Sequence, residues 1–196
     1  MLELLDSLAV SFDLPILDWI QANLQSSFLD TIMPIITLFG DAGIFWMACA
    51  TILLLTRKHR RTGLGVWFAL ALGLLVCNII LKPMVGRIRP YDFQMEHFQV
   101  AIDLLIDEES SLSFPSGHTI ASFEAATVML LNSPALGIPA MILAVLIAFS
   151  RLYLYVHYPT DVIFSVFAGI LFAFIGNLIA KKIPLGKLDR KGKYEK

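Results

Sequence analysis

The sequence predicts an all-α, polytopic membrane protein, a bundle of six transmembrane helices with its chemistry at one face. Three observations predict it. The 196 residues are 57% hydrophobic and only 16% charged, with a mean hydropathy of +0.74, far from the composition of a soluble domain. The stretches 42–56, 62–81, 125–150 and 162–180 contain no Asp, Glu, Lys or Arg, and a membrane crossing needs roughly 20 mostly apolar residues. Cations, histidines and a carboxylate gather in short strings at the ends of these runs, where a charge beside hydrocarbon is costly and is usually kept for function.

Residues 1–14 read as an amphipathic helix on the membrane surface. Ile16, Leu17, Ile20, Leu24 and Phe28 continue a helical stripe opposed by Asp18, Gln21, Asn23 and Gln25, so 15–39 reads as a first, weak span with Pro34 as a kink. Gly40-Asp41-Ala42-Gly43 is a turn. The second span, 44–56, ends at Arg57-Lys58-His59-Arg60-Arg61. The third covers 63–81 and stops before Pro83. A polar loop over 84–114 carries Asp92, Glu96, Asp103, Asp107, Glu108 and Glu109, with a short helix expected over 100–106. The fourth span starts at Pro115-Ser116, since proline suits a first helical turn and serine a cap, and runs to 131. After the turn Asn132-Ser133-Pro134, a fifth span covers 137–156. A sixth covers 160–180, capped by Thr160 or Asp161. There are no repeats, low-complexity segments or linkers, so 1–196 reads as one domain.

Charge sets the expected orientation. Net charge is −1, so no overall field points to nucleic acid. Four Lys and Arg lie in the 57–61 cluster and seven from Lys181 to Lys196. The positive-inside rule makes both cytoplasmic, including the basic tail at 182–196. Counting six crossings, both termini are then cytoplasmic, and the 84–114 loop and the chemistry-bearing strings face outward. The protein is expected in the cell membrane. The N-terminus carries Glu3, Asp6 and Asp13 with no basic region, unlike a cleaved signal peptide. Cys49 and Cys77 sit in apolar runs and read as buried thiols. No oligomeric state follows.

Three strings carry the chemistry: Lys82 to Pro90, including Arg87 and Arg89; Pro115-Ser116-Gly117-His118; and Ser150-Arg151 followed by His157 and Asp161. Arginine offers a fork of donors suited to phosphate oxygens, and lysine a point charge. Ser116, Gly117 and His118 open a helix whose unpaired N–H groups suit an anion. Two histidines allow a division of labour: a neutral ring attacks phosphorus and a protonated one gives a proton to the leaving oxygen. Asp161, four residues after His157, can hold the other ring N–H. His118 has no such acid nearby in sequence and fits the acid role.

This constellation resembles the type 2 phosphatidic acid phosphatase family. Its pattern, Lys-x6-Arg-Pro, Pro-Ser-Gly-His and Ser-Arg-x5-His-x3-Asp, occurs complete and in order across roughly 30–180. The resemblance implies a six-helix membrane bundle and hydrolysis through a phosphohistidine without metal or other cofactor. It implies His157 as nucleophile, His118 as general acid, Asp161 as partner of His157, and Lys82, Arg89, Ser116, Gly117 and Arg151 as the phosphate site. The substrate expected is a lipid phosphate in the bilayer, undecaprenyl diphosphate before phosphatidylglycerophosphate or phosphatidic acid, with headgroup transfer to another acceptor as an alternative. Vanadium-dependent haloperoxidases share the motifs but are soluble. A non-enzymatic lipid-phosphate binder would not need both histidines and an orienting Asp.

Other residues stay open in the sequence. Arg87 is a headgroup contact or a plain surface charge. Glu124 lies two turns into span four and either shapes the site, pairing with a cation such as Arg151, or sits in a wet cleft. Tyr153, Tyr155 and Tyr158 read as an interfacial belt. His97 and the acidic loop are solvated or form a lid.

Overall fold

The computed structural model of the protein describes residues 2–184; of the basic tail expected at 182–196, residues 185–196 lie outside this range. Helix α1 (Leu2–Leu8) passes through a π-helical turn (Ala9–Asp13) into α2 (Leu14–Leu24). Gln25 and Ser26 are extended, and the Ser26 hydroxyl accepts the Leu29 N–H to start α3 (Ser27–Leu38). A tight turn at Asp41–Gly43, with Ala42 and Gly43 left-handed, leads into α4 (Ile44–Leu55). Helix α5 (Arg60–Gly73) continues as a π-helical stretch (Leu74–Leu81) and a short α6 (Lys82–Val85). Then come α7 (Pro90–Phe98), α8 (Gly117–Asn132), α9 (Pro134–Tyr153) and α10 (Pro159–Lys182).

Pro83 therefore does not end the third span. It sits in the first turn of α6, where its missing N–H is tolerated, and Gly86, with φ +69°, ends the rod. The helix expected over 100–106 is absent; the helix of the 84–114 loop is α7, which Pro90 opens. Likewise Tyr158, not Thr160 or Asp161, caps α10, and Asp161 Oδ2 accepts the Tyr158 N–H at 3.2 Å from the first turn.

Among the described residues, four stretches are long and apolar enough to cross a membrane: Ser27–Leu55, Arg57–Phe98, Pro134–Tyr153 and Pro159–Lys182. Helix α8 is the fifth rod. It lies at the centre, packed against α5, α9 and α10, and buries Ile120, Phe123, Ala125, Ala126, Val128 and Met129. Trp46 Nε1 donates to Ser122 Oγ at 3.0 Å and ties α4 to α8. Asn132 Nδ2 donates to Asn177 Oδ1 at 2.9 Å and ties α8 to α10. Gly176 lets α10 approach α5 closely, because a Cβ there would stand 2.6 Å from the Ala69 nitrogen. Exposed Ile52, Leu75, Ile79, Ile142, Phe167 and Leu171 face outward from the rods, as a lipid-facing surface requires.

The single span expected over 15–39 is broken at Gln25 and Ser26 into α2 and α3, and the four apolar stretches with α8 do not establish the expected six crossings. Gln21 donates to the Tyr153 carbonyl at 2.7 Å, Tyr153 Oη donates to Asp30 at 2.5 Å, and Arg151 donates to Thr37 at 2.5 Å. Both ends of α3 thus stay beside the last turns of α9, and α1 to α3 form a layer over one end of the bundle. Ala9, Leu14, Leu17, Ile20 and Met33 pack there with Tyr91, Phe93 and Tyr153 to Tyr158. Tyr153, Tyr155 and Tyr158 are consequently core residues, each at most 1% exposed, and not an interfacial belt. Arg61 donates to the Lys181 carbonyl at 3.0 Å, so the 57–61 cluster and the described start of the second basic group lie together at the opposite end. The described N-terminal residues pack at the motif end of the bundle, away from the Arg61–Lys181 contact. Cys49 and Cys77 are free thiols, Cys77 buried and Cys49 half-buried.

Candidate active site

All three strings meet under the α1–α3 layer. Lys82 comes from α6 and Arg89 from the residue before α7. Ser116, Gly117 and His118 come from the start of α8, Arg151 from the last turn of α9, and His157 and Asp161 from the turn into α10. Lys82, Gly117, His118 and His157 border one cavity of about 470 Å³. The cavity continues between α4, α5 and α8 along Met47, Trp67, Leu70 and Leu74 to Glu124. Lys82, Glu109 and the two histidines stand at its polar mouth, and the rest is an apolar arm.

His157 is 1% exposed and stands at the centre of the polar network. Arg89 NH1 lies 3.3 Å from its Nε2. Guanidinium has only donors, so Nε2 accepts there and holds a lone pair. The ring proton then sits on Nδ1, facing Ser113 Oγ at 3.4 Å and Asp161 Oδ2 at 3.5 Å. Ser113 Oγ in turn donates to Asp161 Oδ2 at 2.5 Å. Asp161 thus supports His157 as its spacing predicts, with Ser113 as the nearer hydrogen-bond partner. Burial, then the charges of Arg89, Arg151 and Lys82, hold the His157 ring well below the ordinary histidine range. Tyr155, two residues earlier, takes a left-handed conformation (φ +59°) that a bulky side chain rarely adopts; hydrogen bonds from its Oη to Asp18 and from Gln94 hold it.

Arg87 is neither a headgroup contact nor a surface charge. It is 2% exposed, donates to Asp161 Oδ1 at 2.5 Å and to Asp13 Oδ2 at 2.8 Å, and lies 3.6 Å over the Tyr158 ring. Asp13 also accepts from the Thr160 N–H and hydroxyl. The N-terminal segment is thereby linked to His157 through Asp13, Arg87 and Asp161.

Arg89 and Arg151 converge on Glu109. Arg89 NH2 donates to Glu109 Oε2 at 2.6 Å, and Arg151 NH2 is paired with Glu109 Oε1. Arg89 also donates to the Ser111 and Val156 carbonyls, each at 2.7 Å. His118 Nε2 donates to Asp41 Oδ1 at 2.7 Å, so this histidine has a carboxylate after all, delivered by the turn between α3 and α4. Ser116 is the residue before α8, but its hydroxyl accepts from Thr119 Oγ1 at 3.0 Å and does not cap the helix backbone. Its N–H donates to Ser165 Oγ at 2.9 Å. Glu124 does not pair with Arg151; it is 1% exposed, and its Oε1 has no hydrogen-bond partner. Gly73 faces it, where any Cβ would collide with the carboxyl group.

The helical bundle brings two histidines and Lys82 to one cavity, with Arg89 in contact with His157 and bridged to Arg151 by Glu109. Residues 62–184 match the PAP2 superfamily, and the chain belongs to it. It is similar to an undecaprenyl-diphosphatase of Sulfolobus acidocaldarius, with 26% identity over 92% of this chain and 84% of that one. It is also similar to phosphatidylglycerophosphatase B of Bacillus subtilis, with 32% identity over 81% of this chain and 70% of that one. A solved structure described as a transmembrane PAP2-type phosphatidylglycerolphosphate phosphatase from Bacillus subtilis superposes with a TM-score of 0.63 and 29% identity, covering 83% of this chain and 82% of that one. The chain is accordingly a hydrolase, a membrane phosphatase of this family.

Proposed function

We propose that the protein removes a phosphate from a lipid headgroup without metal, through a phosphohistidine. The His157 Nε2 lone pair attacks phosphorus and the bond to the leaving oxygen breaks. His118 gives that oxygen a proton and later takes one from the water that cleaves the P–N bond. Inorganic phosphate and neutral His157 remain. Lys82, Arg89 and Arg151 bind the phosphoryl oxygens and stabilise charge on them in the transition state, with the Gly117 end of α8 beside them. Asp161 and Ser113 keep the ring proton on Nδ1 and stabilise the positive charge formed on attack. The observation that carries this reading is the orientation of His157, whose lone pair faces the cation cluster at the mouth of the apolar arm.

The substrate is undecaprenyl diphosphate. A relative of this chain bears that activity in its name, and the apolar arm suits a hydrocarbon tail. The site faces outward, since the basic cluster occupies the opposite end of the bundle; the N-terminal layer then lies outside with it. A second reading, a glycerolipid phosphate such as phosphatidylglycerophosphate, is favoured by Glu124. The unpartnered Oε1 of a buried carboxyl in the arm has nothing to meet on a polyprenyl chain, whereas ester and hydroxyl oxygens of a glycerolipid reach a few bonds past phosphorus.

Phosphate release from undecaprenyl diphosphate, phosphatidylglycerophosphate and phosphatidic acid, measured in detergent with EDTA, tests the proposal. Turnover is expected to survive EDTA, and its collapse would refute the metal-free mechanism. Glu124→Leu decides between substrates. About a tenfold loss confined to the glycerolipids, of the size one buried hydrogen bond carries, selects the second reading.

A further inference from the structure

The geometry points to Glu109 as a built-in competitor of the phosphoryl group, and so as the residue that sets how strongly an anion must bind to enter the site. This rests on reading Lys82, Arg89 and Arg151 as the phosphate-binding cations. Glu109 comes from the loop between α7 and α8, in a stretch with no regular secondary structure. It places one carboxylate oxygen on Arg89 and the other on Arg151. A carboxylate spanning two guanidinium groups holds them as two oxygens of a phosphate would.

Donor accounting shows which positions the two must contest. A guanidinium has five N–H groups. Those of Arg89 go to the Ser111 carbonyl, the Val156 carbonyl, His157 Nε2, Ser111 Oγ and Glu109. The carbonyls of Ser111 and Val156 are fixed by the backbone, and the Arg89 NH1 proton on His157 Nε2 is freed only when that nitrogen attacks phosphorus. Glu109 is the releasable partner: its side chain is 25% exposed while those of Arg89 and Arg151 are at most 2% exposed. Arg151 gives NH1 to Thr37 and NH2 to Glu109, and its Nε–H has no partner among the described residues. An incoming phosphate reaches the NH2 groups of both arginines, which Glu109 bridges, only as Glu109 leaves.

A tethered carboxylate acts at an effective concentration of about millimolar or more. A singly charged phosphodiester, the headgroup of most bilayer lipids, brings no more charge than Glu109 and remains a weak ligand. A phosphomonoester or diphosphate carries about two charges and displaces it. The apparent affinity of every ligand is lowered by the fraction of molecules in which Glu109 is out.

Two measurements on the full chain in detergent test this, and neither needs turnover. The first titrates orthophosphate and diethyl phosphate into wild type and Glu109→Gln, following thermal stabilisation. The variant is expected to bind orthophosphate about tenfold more tightly and to show diethyl phosphate binding absent from wild type. Unchanged or weaker binding would overturn the inference and make Glu109 a group that orients the arginines. The second uses wild type alone: carbodiimide labelling of Glu109, read by mass spectrometry, is expected to rise severalfold on adding orthophosphate. Unchanged or reduced labelling would also overturn it. Failure of wild type to release phosphate from any lipid would instead strike the proposed function.

Discussion

The two histidines stand on one cavity but in different surroundings. His157 is held from every side: Arg89 on Nε2, Ser113 and Asp161 on Nδ1, and behind these Arg87 and Asp13, all nearly fully buried. The His118 side chain is 14% exposed and leans on Asp41, which is 51% exposed and sits in a turn with two left-handed residues. The difference matches the chemistry proposed for each. A nucleophile must meet phosphorus along a narrow line, so its ring is locked. A proton donor must exchange with water between the two halves of the cycle, so its ring stands where solvent reaches it.

Removing the rings sharpens the contrast most. His157→Ala is expected to abolish turnover, with a loss of at least about 10⁴-fold in kcat, because no other group can form the covalent intermediate. His118→Ala is expected to lose about 10²–10⁴-fold, the usual worth of a general acid, with less loss on a diphosphate, whose leaving group needs its proton less. A phosphate-release assay on both substrate types reads this. Equal loss on both types would remove the acid role from His118.

The enclosure of His157 can be loosened from a distance. Asp13→Asn removes one of the two buried carboxylates that pair with Arg87 and leaves it to Asp161 alone, a change expected to cost less than the about 3–5 kcal/mol of a wholly unpaired buried charge. Arg87 also steadies Asp161. The expected result is a lowered melting temperature together with about a tenfold fall in kcat at nearly constant KM. If melting falls while kcat holds, the N-terminal layer is a lid on the fold and has no hold on the catalytic ring.

The surroundings also set the pH response. Attack needs a neutral His157. Since burial and three nearby cations hold its titration well below the usual value, the ring stays neutral as pH falls through about 6.5, where a free histidine charges. The acid limb of kcat/KM is expected below that point. A limb at or above 6.5, measured on a substrate that does not itself titrate there, would mean that His157 is not the group being read.

How far the sequence reveals this site follows from where each partner comes from. Lys82, Arg89, His118, Arg151, His157 and Asp161 were legible because their spacing within a string is itself the requirement. Asp13, Asp41, Glu109 and Ser113 were not, because each reaches its partner across dozens of residues and no local period marks it. The misread span at 15–39 has a similar origin. A helical stripe with Asp18, Gln21, Asn23, Gln25 and Asp30 on its other faces fits a helix lying on a bundle end as well as a weak crossing. Only the contacts to Tyr153 and Arg151 decide between them.

The smallest expected effect concerns the looser histidine. Asp41 fixes the His118 ring by one hydrogen bond at 2.7 Å, but it is half exposed, and exposed pairs are worth roughly 0–1 kcal/mol. Asp41→Asn keeps an acceptor oxygen in reach while removing the charge, so kcat is expected to fall less than about fivefold on a lipid monophosphate, with stability unchanged. Asp41→Ala, which leaves the ring free to turn, is expected to lose more than Asn, and the ordering Ala below Asn below wild type is the reading to check. A loss in Asp41→Asn as large as that in His118→Ala would show that the two act as one unit, and that His118 is held as tightly as His157.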